Sequence, residues 1–170
     1  MTKKYHLVNT VIVWGMFFFG LFSLLMMWEN LPDTTGVHFS SSGSFDVYNT
    51  KLYAFYPHIV SLVTLIINTV FTRISGRLKV GLRLNKKGTE LIRAALILLL
   101  DIINASVCLM FSLIWNNCVI CRYPLNTLYP VVIFNFMFGS MLAFIVGAIV
   151  ISVRFKKPKN NKTKRTKERR

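Results

Sequence analysis

The sequence predicts an all-α membrane protein whose four transmembrane helices form an antiparallel bundle, with both termini in the cytoplasm and a small ordered outer loop. Of the 170 residues, 54% are hydrophobic and only 16% are charged, too few charges to cover a soluble domain of this length. The charges are also clustered, since ten of the 21 Lys and Arg residues lie in residues 154–170. Long uncharged runs between charge clusters are typical of a chain that crosses a bilayer, whose core penalises exposed charge.

Four apolar stretches reach the length of about 20 residues that a membrane-spanning helix needs. The predicted spans are residues 7–28, 53–72, 91–115 and 128–153. The first stretch is longer than the apolar region of a cleaved signal peptide, which has about 7–15 residues, and Trp28-Glu29-Asn30 offers no small-residue cleavage site. We therefore expect residues 1–153 to form one membrane domain that keeps its first helix.

The basic residues predict the orientation of these spans. Nineteen of the 21 Lys and Arg residues precede span one, lie in the connection 73–90 or at the start of span three, or belong to the tail. Only Lys51 and Arg122 lie on the other side. Because Lys and Arg are retained on the cytoplasmic side, both termini and the connection 73–90 are expected in the cytoplasm, and residues 29–52 outside.

The first outer loop, residues 29–52, is predicted to fold as a cap over the outer ends of the helices. Pro32, Gly36 and Gly43 favour turns within it. The loop is also more apolar than a solvated linker, and its apolar residues are Val37, Phe39, Phe45, Val47 and Tyr48.

Several residues of this loop, at a defined spacing, resemble the sequence pattern of a known protein family. The set is Leu31-Pro32, His38-Phe39, Gly43, Asp46, Tyr48 and Lys51, with Pro57 following in span two. It is similar to a bacterial membrane-domain family of unknown function, which forms the N-terminal half of SdpI-type toxin-immunity proteins. The resemblance implies a non-enzymatic, immunity-like, sensing or accessory role at a bacterial cell membrane, with a secreted peptide or another membrane protein as partner. SdpI-type proteins carry a second membrane half, whereas a basic tail follows span four here.

The side chains of this loop allow three interpretations. The candidate recognition residues are Pro32, His38, Phe39, Gly43, Asp46, Tyr48 and Lys51. In a purely structural interpretation, Asp46 pairs with Lys51 and His38 stacks beneath Phe39 or Phe45. A divalent metal on His38, Asp46 and Glu29 is the least favoured interpretation, so no metal is expected.

Asp101 and Asn104 are the candidate functional residues inside the spans. Asp101 lies about ten residues into span three, where an ionised carboxylate is costly unless it is paired or hydrated. No Lys or Arg lies at that depth in another span, so the predicted partners are neutral, namely Ser61, Thr64, Asn104 and Ser140. A packing hydrogen bond and a small proton-coupled transporter that uses Asp101 are equally favoured.

Cys118 and Cys121 form a C-x-x-C pair in the predicted second outer loop, residues 116–127. Outside the cytoplasm this pair predicts a disulfide or inert thiols. Zinc would need His38 or Asp46 to complete four ligands, and that alternative would make the protein a metal-dependent membrane enzyme. Because the sequence has no catalytic or phosphate-binding motif, neither an enzyme nor a cofactor is expected.

Small residues line one face of span four. Gly139, Ala143 and Gly147 lie four residues apart, a spacing that lets another helix approach closely. We expect this face to pack within the bundle, and formation of a homo-oligomer is the alternative.

The tail, residues 154–170, is too polar to fold alone and is expected to be disordered. Its basic residues follow an apolar span and do not lie on a folded surface, so we expect binding to anionic lipids of the inner leaflet and not to nucleic acid.

Overall fold

The computed structural model describes residues 2–75 and 84–156, and this part of the protein is mostly helical. Four helices are long and apolar enough to span a membrane: Lys4–Met26, Lys51–Ser75, Lys86–Cys121 and Leu128–Arg154. The prediction of four such helices is confirmed, although the third is longer than predicted at both ends. Most of the predicted tail, from residue 157, and part of the predicted cytoplasmic connection, residues 76–83, lie outside the described residues.

The described α-helices are α1 (Thr2–Met26), α2 (Tyr56–Ser75), α3 (Lys86–Cys108), α4 (Asn116–Cys121) and α5 (Leu128–Arg154). A π-helical segment, Leu109–Trp115, joins α3 to α4 without a break, so these three elements form one long helix. Its start is set by Asn85, whose side-chain oxygen accepts a 2.8 Å hydrogen bond from the Gly88 amide, as an N-cap residue does. The predicted second outer loop therefore begins later, after Cys121.

The predicted cap contains a β-hairpin. Strands β1 (Thr34–Phe39) and β2 (Phe45–Thr50) pair antiparallel, with Thr34 opposite Thr50 and Phe39 opposite Phe45. Short 3-10 turns connect the hairpin to α1 and α2. The all-α prediction therefore holds for the spans but is wrong for this loop, because its Thr, Val and aromatic residues favour extended pairing.

The long third helix lies at the centre of the contacts. Side chains of α1, α2 and α3 meet in an apolar layer of Val13, Phe17, Leu65 and Cys108. Helices α1 and α3 run in the same direction, since His6 contacts Asp101 and Gly20 lies against Ser112. Helix α2 runs in the opposite direction, since His58 contacts Asn116 and Ser61 contacts Ser112. Polar side chains lie on both sides of the apolar layer, towards the hairpin and away from it.

The fourth long helix, α5, lies against α3 and has no buried residue. Its small-residue face is not used inside the protein, since no described residue lies within 4 Å of a Cβ atom placed on Gly139 or Gly147. The predicted internal packing of this face is therefore wrong at both glycines. At its far end, α5 instead meets the start of α3, where the Asn85 amide donates a 2.9 Å hydrogen bond to the Phe155 carbonyl.

Candidate functional site

Asp101 is paired with a histidine from another helix. The Nδ1 atom of His6 lies 2.9 and 3.0 Å from the two carboxylate oxygens of Asp101. The Asp101 side chain is 5% exposed, whereas that of His6 is 31% exposed. A buried carboxylate needs such a partner, because desolvation without one is costly. We call these two residues the His6–Asp101 pair.

The partners that the sequence suggested for Asp101 are wrong. Ser61 bonds to Ser112, while Thr64 and Ser140 donate to carbonyl groups of their own helices. Asn104 makes no hydrogen bond through its buried Oδ1 atom. Sequence reasoning missed His6 because the relative heights of α1 and α3 cannot be derived from the chain: the fifth residue of α1 lies beside the sixteenth of α3.

The pair constrains the hydrogen-bond roles of the His6 ring. Where the Asp101 carboxylate is ionised, it only accepts hydrogen bonds, and Nδ1 then carries the hydrogen. The Nε2 atom then keeps a free lone pair, and no described residue bonds to it. An imidazole oriented in this way can accept a proton at Nε2 while the carboxylate stabilises the resulting cation.

His6 lines two cavities. The larger, about 530 Å³, lies between α1, α3 and α5 and is lined mainly by apolar residues such as Leu91, Leu98 and Ile151. The smaller, about 130 Å³, lies between α1, α2 and α3. His6 therefore lies between an apolar space and a polar one.

A second polar cluster lies on the hairpin side of the apolar layer. Asn116 accepts a 3.2 Å hydrogen bond from Nε2 of His58 and donates a 3.0 Å bond to the Gly20 carbonyl. Ser112 donates a 2.8 Å bond to Ser61. The side chains of His58, Ser61, Ser112 and Asn116 are all buried. The cluster holds α1 and α2 against the long third helix.

Contacts at the turn of the hairpin hold it against the rest of the protein. Gly43, with φ of 85°, accepts a 2.7 Å hydrogen bond from the Leu125 amide. Phe39 stacks on Phe45 with ring centroids 4.2 Å apart and meets Trp115 at 5.1 Å. The predicted cap is therefore an ordered structure that rests on the segment before α5.

The cap nevertheless leaves a polar pair on its surface. Nδ1 of His38 lies 2.6 Å from a carboxylate oxygen of Asp46, and both side chains are largely exposed. The predicted Asp46–Lys51 pair and the stacking of His38 on a phenylalanine are both wrong. The hairpin brings His38 beside Asp46, while the Lys51 ammonium group lies 4.7 Å from the centre of the Trp28 ring.

The seven candidate recognition residues therefore separate into two groups. Phe39, Gly43 and Lys51 make contacts that hold the cap, and Pro32 is half-buried. His38, Asp46 and Tyr48 are exposed, and Tyr48 is 61% exposed. Only the second group is free to contact a partner.

The two cysteines of the C-x-x-C pair lie one turn apart in α4. Both thiols are free in the structure, with Cys118 buried and Cys121 exposed. The disulfide between them stays a prediction. Within the described ranges, no group of three or more His, Cys, Asp or Glu side chains is placed to hold a metal ion, and the cysteines do not join His38 and Asp46.

Comparison of the chain with family models, with curated proteins and with solved structures finds no match.

Proposed function

We propose that the chain is a non-enzymatic multi-pass membrane protein that recognises a molecule at its outer face, in an immunity-like, sensing or accessory role. The structure of the cap supports this proposal. Contacts of Gly43 and Phe39 hold the cap against the rest of the protein, yet the His38–Asp46 pair and Tyr48 are exposed on its surface. A rigid, exposed surface binds a partner at a lower cost in ordering than a mobile loop does.

The proposed topology is an antiparallel four-helix bundle with both termini in the cytoplasm of a bacterial cell. The charge distribution supports it, because Lys51 and Arg122 are the only basic residues on the hairpin side among residues 2–75 and 84–156. The tail 154–170 is proposed to bind anionic lipids of the inner leaflet. The resemblance of the cap residues to SdpI-type proteins leads us to propose a secreted peptide or another membrane protein as the partner of the cap.

Labelling of Cys121 tests this orientation. In intact cells we expect a membrane-impermeant maleimide to modify the exposed Cys121 and to leave the buried Cys118 unmodified. A Cys121→Ser variant serves as the control and should lose the label. Labelling only after the cells are lysed would contradict the orientation, and labelling only after reduction would support the predicted disulfide.

Substitution of the exposed pair tests recognition. Cells that lack the protein are challenged with membrane-active peptides and toxins, and are complemented with wild type or with His38→Ala. Because His38 is exposed, the variant should reach the membrane in wild-type amounts. Resistance should nevertheless fall at least about tenfold, as expected for loss of a residue central to an interface.

The matched control for this experiment is Ser41→Ala, an exposed residue at the hairpin turn. It should preserve resistance. If wild type protects the cells and His38→Ala protects them equally well, the pair does not recognise the toxic molecule. If wild type gives no protection against any agent, the immunity-like role is wrong for those agents.

A proton-coupled transporter is the second candidate function. The observation that favours it is the His6–Asp101 pair, which gives the acid in span three an ionisable partner next to a cavity. Such groups inside spans mark proton and solute paths. Full transport activity of an Asp101→Asn variant in vesicles would contradict this candidate.

A further inference from the structure

The larger cavity, between α1, α3 and α5, is an apolar groove that can be reached from outside the protein. Six of its nine lining residues are alanine, leucine or isoleucine. Leu91 and Leu98, which belong to its wall on α3, are 39% and 46% exposed. Around a membrane-spanning helix the surroundings are hydrocarbon chains, so the groove presents an apolar wall to lipid.

The dimensions of the groove match one hydrocarbon chain from a single leaflet. Its wall on α3 runs from Leu91 to Asp101, ten residues apart, which is about 15 Å of helix rise. This is about half of the hydrocarbon core, which is about 30 Å thick. The volume of about 530 Å³ lies within the usual range of ligand sites, about 300–1,000 Å³. Because His6 engages both carboxylate oxygens of Asp101, the acid does not make the groove unsuitable for an apolar chain.

Two basic side chains lie at the end of the groove that is away from Asp101. Lys87 precedes Leu91 by about one turn of α3, and Arg154 follows Ile151 by about one turn of α5. Both cations lie beside the ring of Phe155, with Nζ of Lys87 5.9 Å and Cζ of Arg154 6.0 Å from its centre. Neither forms an ion pair with a residue that the structure describes. An anionic group at this end would therefore gain two cationic partners.

We propose that the groove binds an anionic phospholipid, with one acyl chain between α1, α3 and α5 and its phosphate at Lys87 and Arg154. The exposed Glu90 does not reverse the preference for an anion, because Lys86 adds a further positive charge at this end. Unlike the proposed binding of lipids by the tail, this site needs a cavity between the spans. It rests on the proposed insertion of the helices into a membrane and not on recognition by the cap.

Photocrosslinking of the full chain in phosphatidylcholine vesicles tests the proposal. The vesicles contain a trace of phosphatidylglycerol or of phosphatidylcholine whose acyl chain carries a diazirine, and the labelled residues are mapped by mass spectrometry. We expect the anionic lipid to label residues 91–101 at least about fivefold more than the zwitterionic lipid does, since one basic residue near an anionic headgroup contributes about this factor. Labelling is normalised to the largely exposed residues 141–146 of α5, which corrects for anionic lipid that the tail attracts.

Substitution of the two cations tests the headgroup site. Lys87→Gln combined with Arg154→Gln should abolish the preference of residues 91–101 for phosphatidylglycerol. Arg73→Gln is the matched control, because Arg73 is exposed on α2, which does not line the groove. This control should keep the preference. Equal labelling by the two lipids in the wild type, or a preference that survives the double substitution, would overturn the proposal.

Filling the groove tests the chain site. Ala94 lies between Leu91 and Leu98 on the lining face of α3, so Ala94→Phe should reduce labelling of residues 91–101 by both lipids several-fold. The control is Ala143→Phe, at an exposed position of α5, which should label as wild type does. Undiminished labelling of a folded Ala94→Phe protein would overturn the chain site, and if this variant does not fold, the double substitution decides. His38→Ala should also label as wild type does, so failure of the lipid site would leave recognition by the cap unaffected.

Discussion

Replacing Gly20 with alanine is expected to destabilise the protein by about 3 kcal/mol, since overpacking and the loss of buried hydrogen bonds each cost about 1–3 kcal/mol. A Cβ atom on Gly20 would overlap with the carbonyl oxygen of Ser112, a backbone atom that cannot rotate away. To make room, α1 must move away from the π-helical segment. The 3.0 Å hydrogen bond from Asn116 to the Gly20 carbonyl is then lost.

Gly15 supplies the matched control on the same helix. No described atom lies within 4 Å of a Cβ atom on Gly15, so alanine there should be neutral or slightly stabilising. Thermal unfolding of both variants in the same detergent gives the comparison. For a chain of this size, about 3 kcal/mol corresponds to a midpoint roughly 6–12 °C lower. Equal midpoints for the two variants would show that the close approach of α1 to Ser112 is absent.

The number of long apolar helices could be predicted from the sequence because it follows from local composition. Each predicted span overlaps one helix, and the third is longer because the polar residues Asn116 and Asn117 continue it. The sequence suggests a loop there. Asn116 is helical because its side chain finds two buried partners, and such partners depend on tertiary contacts that a single chain sequence does not reveal.

The same reason explains why the candidate site was predicted only in part. Asp101 is conspicuous as an acid within an apolar run, whereas His6 lies near the chain start, where a polar residue is ordinary. Pairing them requires the offset between α1 and α3. In the cap, the glycines and the aromatic residues predicted folding, but the partner of Asp46 depended on the strand register, which includes an irregularity between Gly36 and His38.

Removing His6 from the His6–Asp101 pair is the second substitution that we expect to destabilise the protein strongly. His6→Ala leaves a carboxylate that is 5% exposed without its partner, and we expect a loss of about 3 kcal/mol at neutral pH, since breaking a buried pair costs about 3–5 kcal/mol. Asp101→Asn should cost about 1 kcal/mol or less, because the amide oxygen can still accept a hydrogen bond from Nδ1. The cost therefore depends on which partner is removed.

This asymmetry predicts a rescue. Adding Asp101→Asn to His6→Ala removes the unpaired charge and should restore about 2 kcal/mol, so the two substitutions are not additive. Glu90→Gln, which neutralises an exposed acid on the same helix, is the control and should restore nothing. Unfolding midpoints of wild type, both single variants, the double variant and the control combination measure the coupling. Additive effects would mean that His6 and Asp101 do not interact in the folded protein, and the assignment of Nδ1 as the donor to Asp101 would be lost with them.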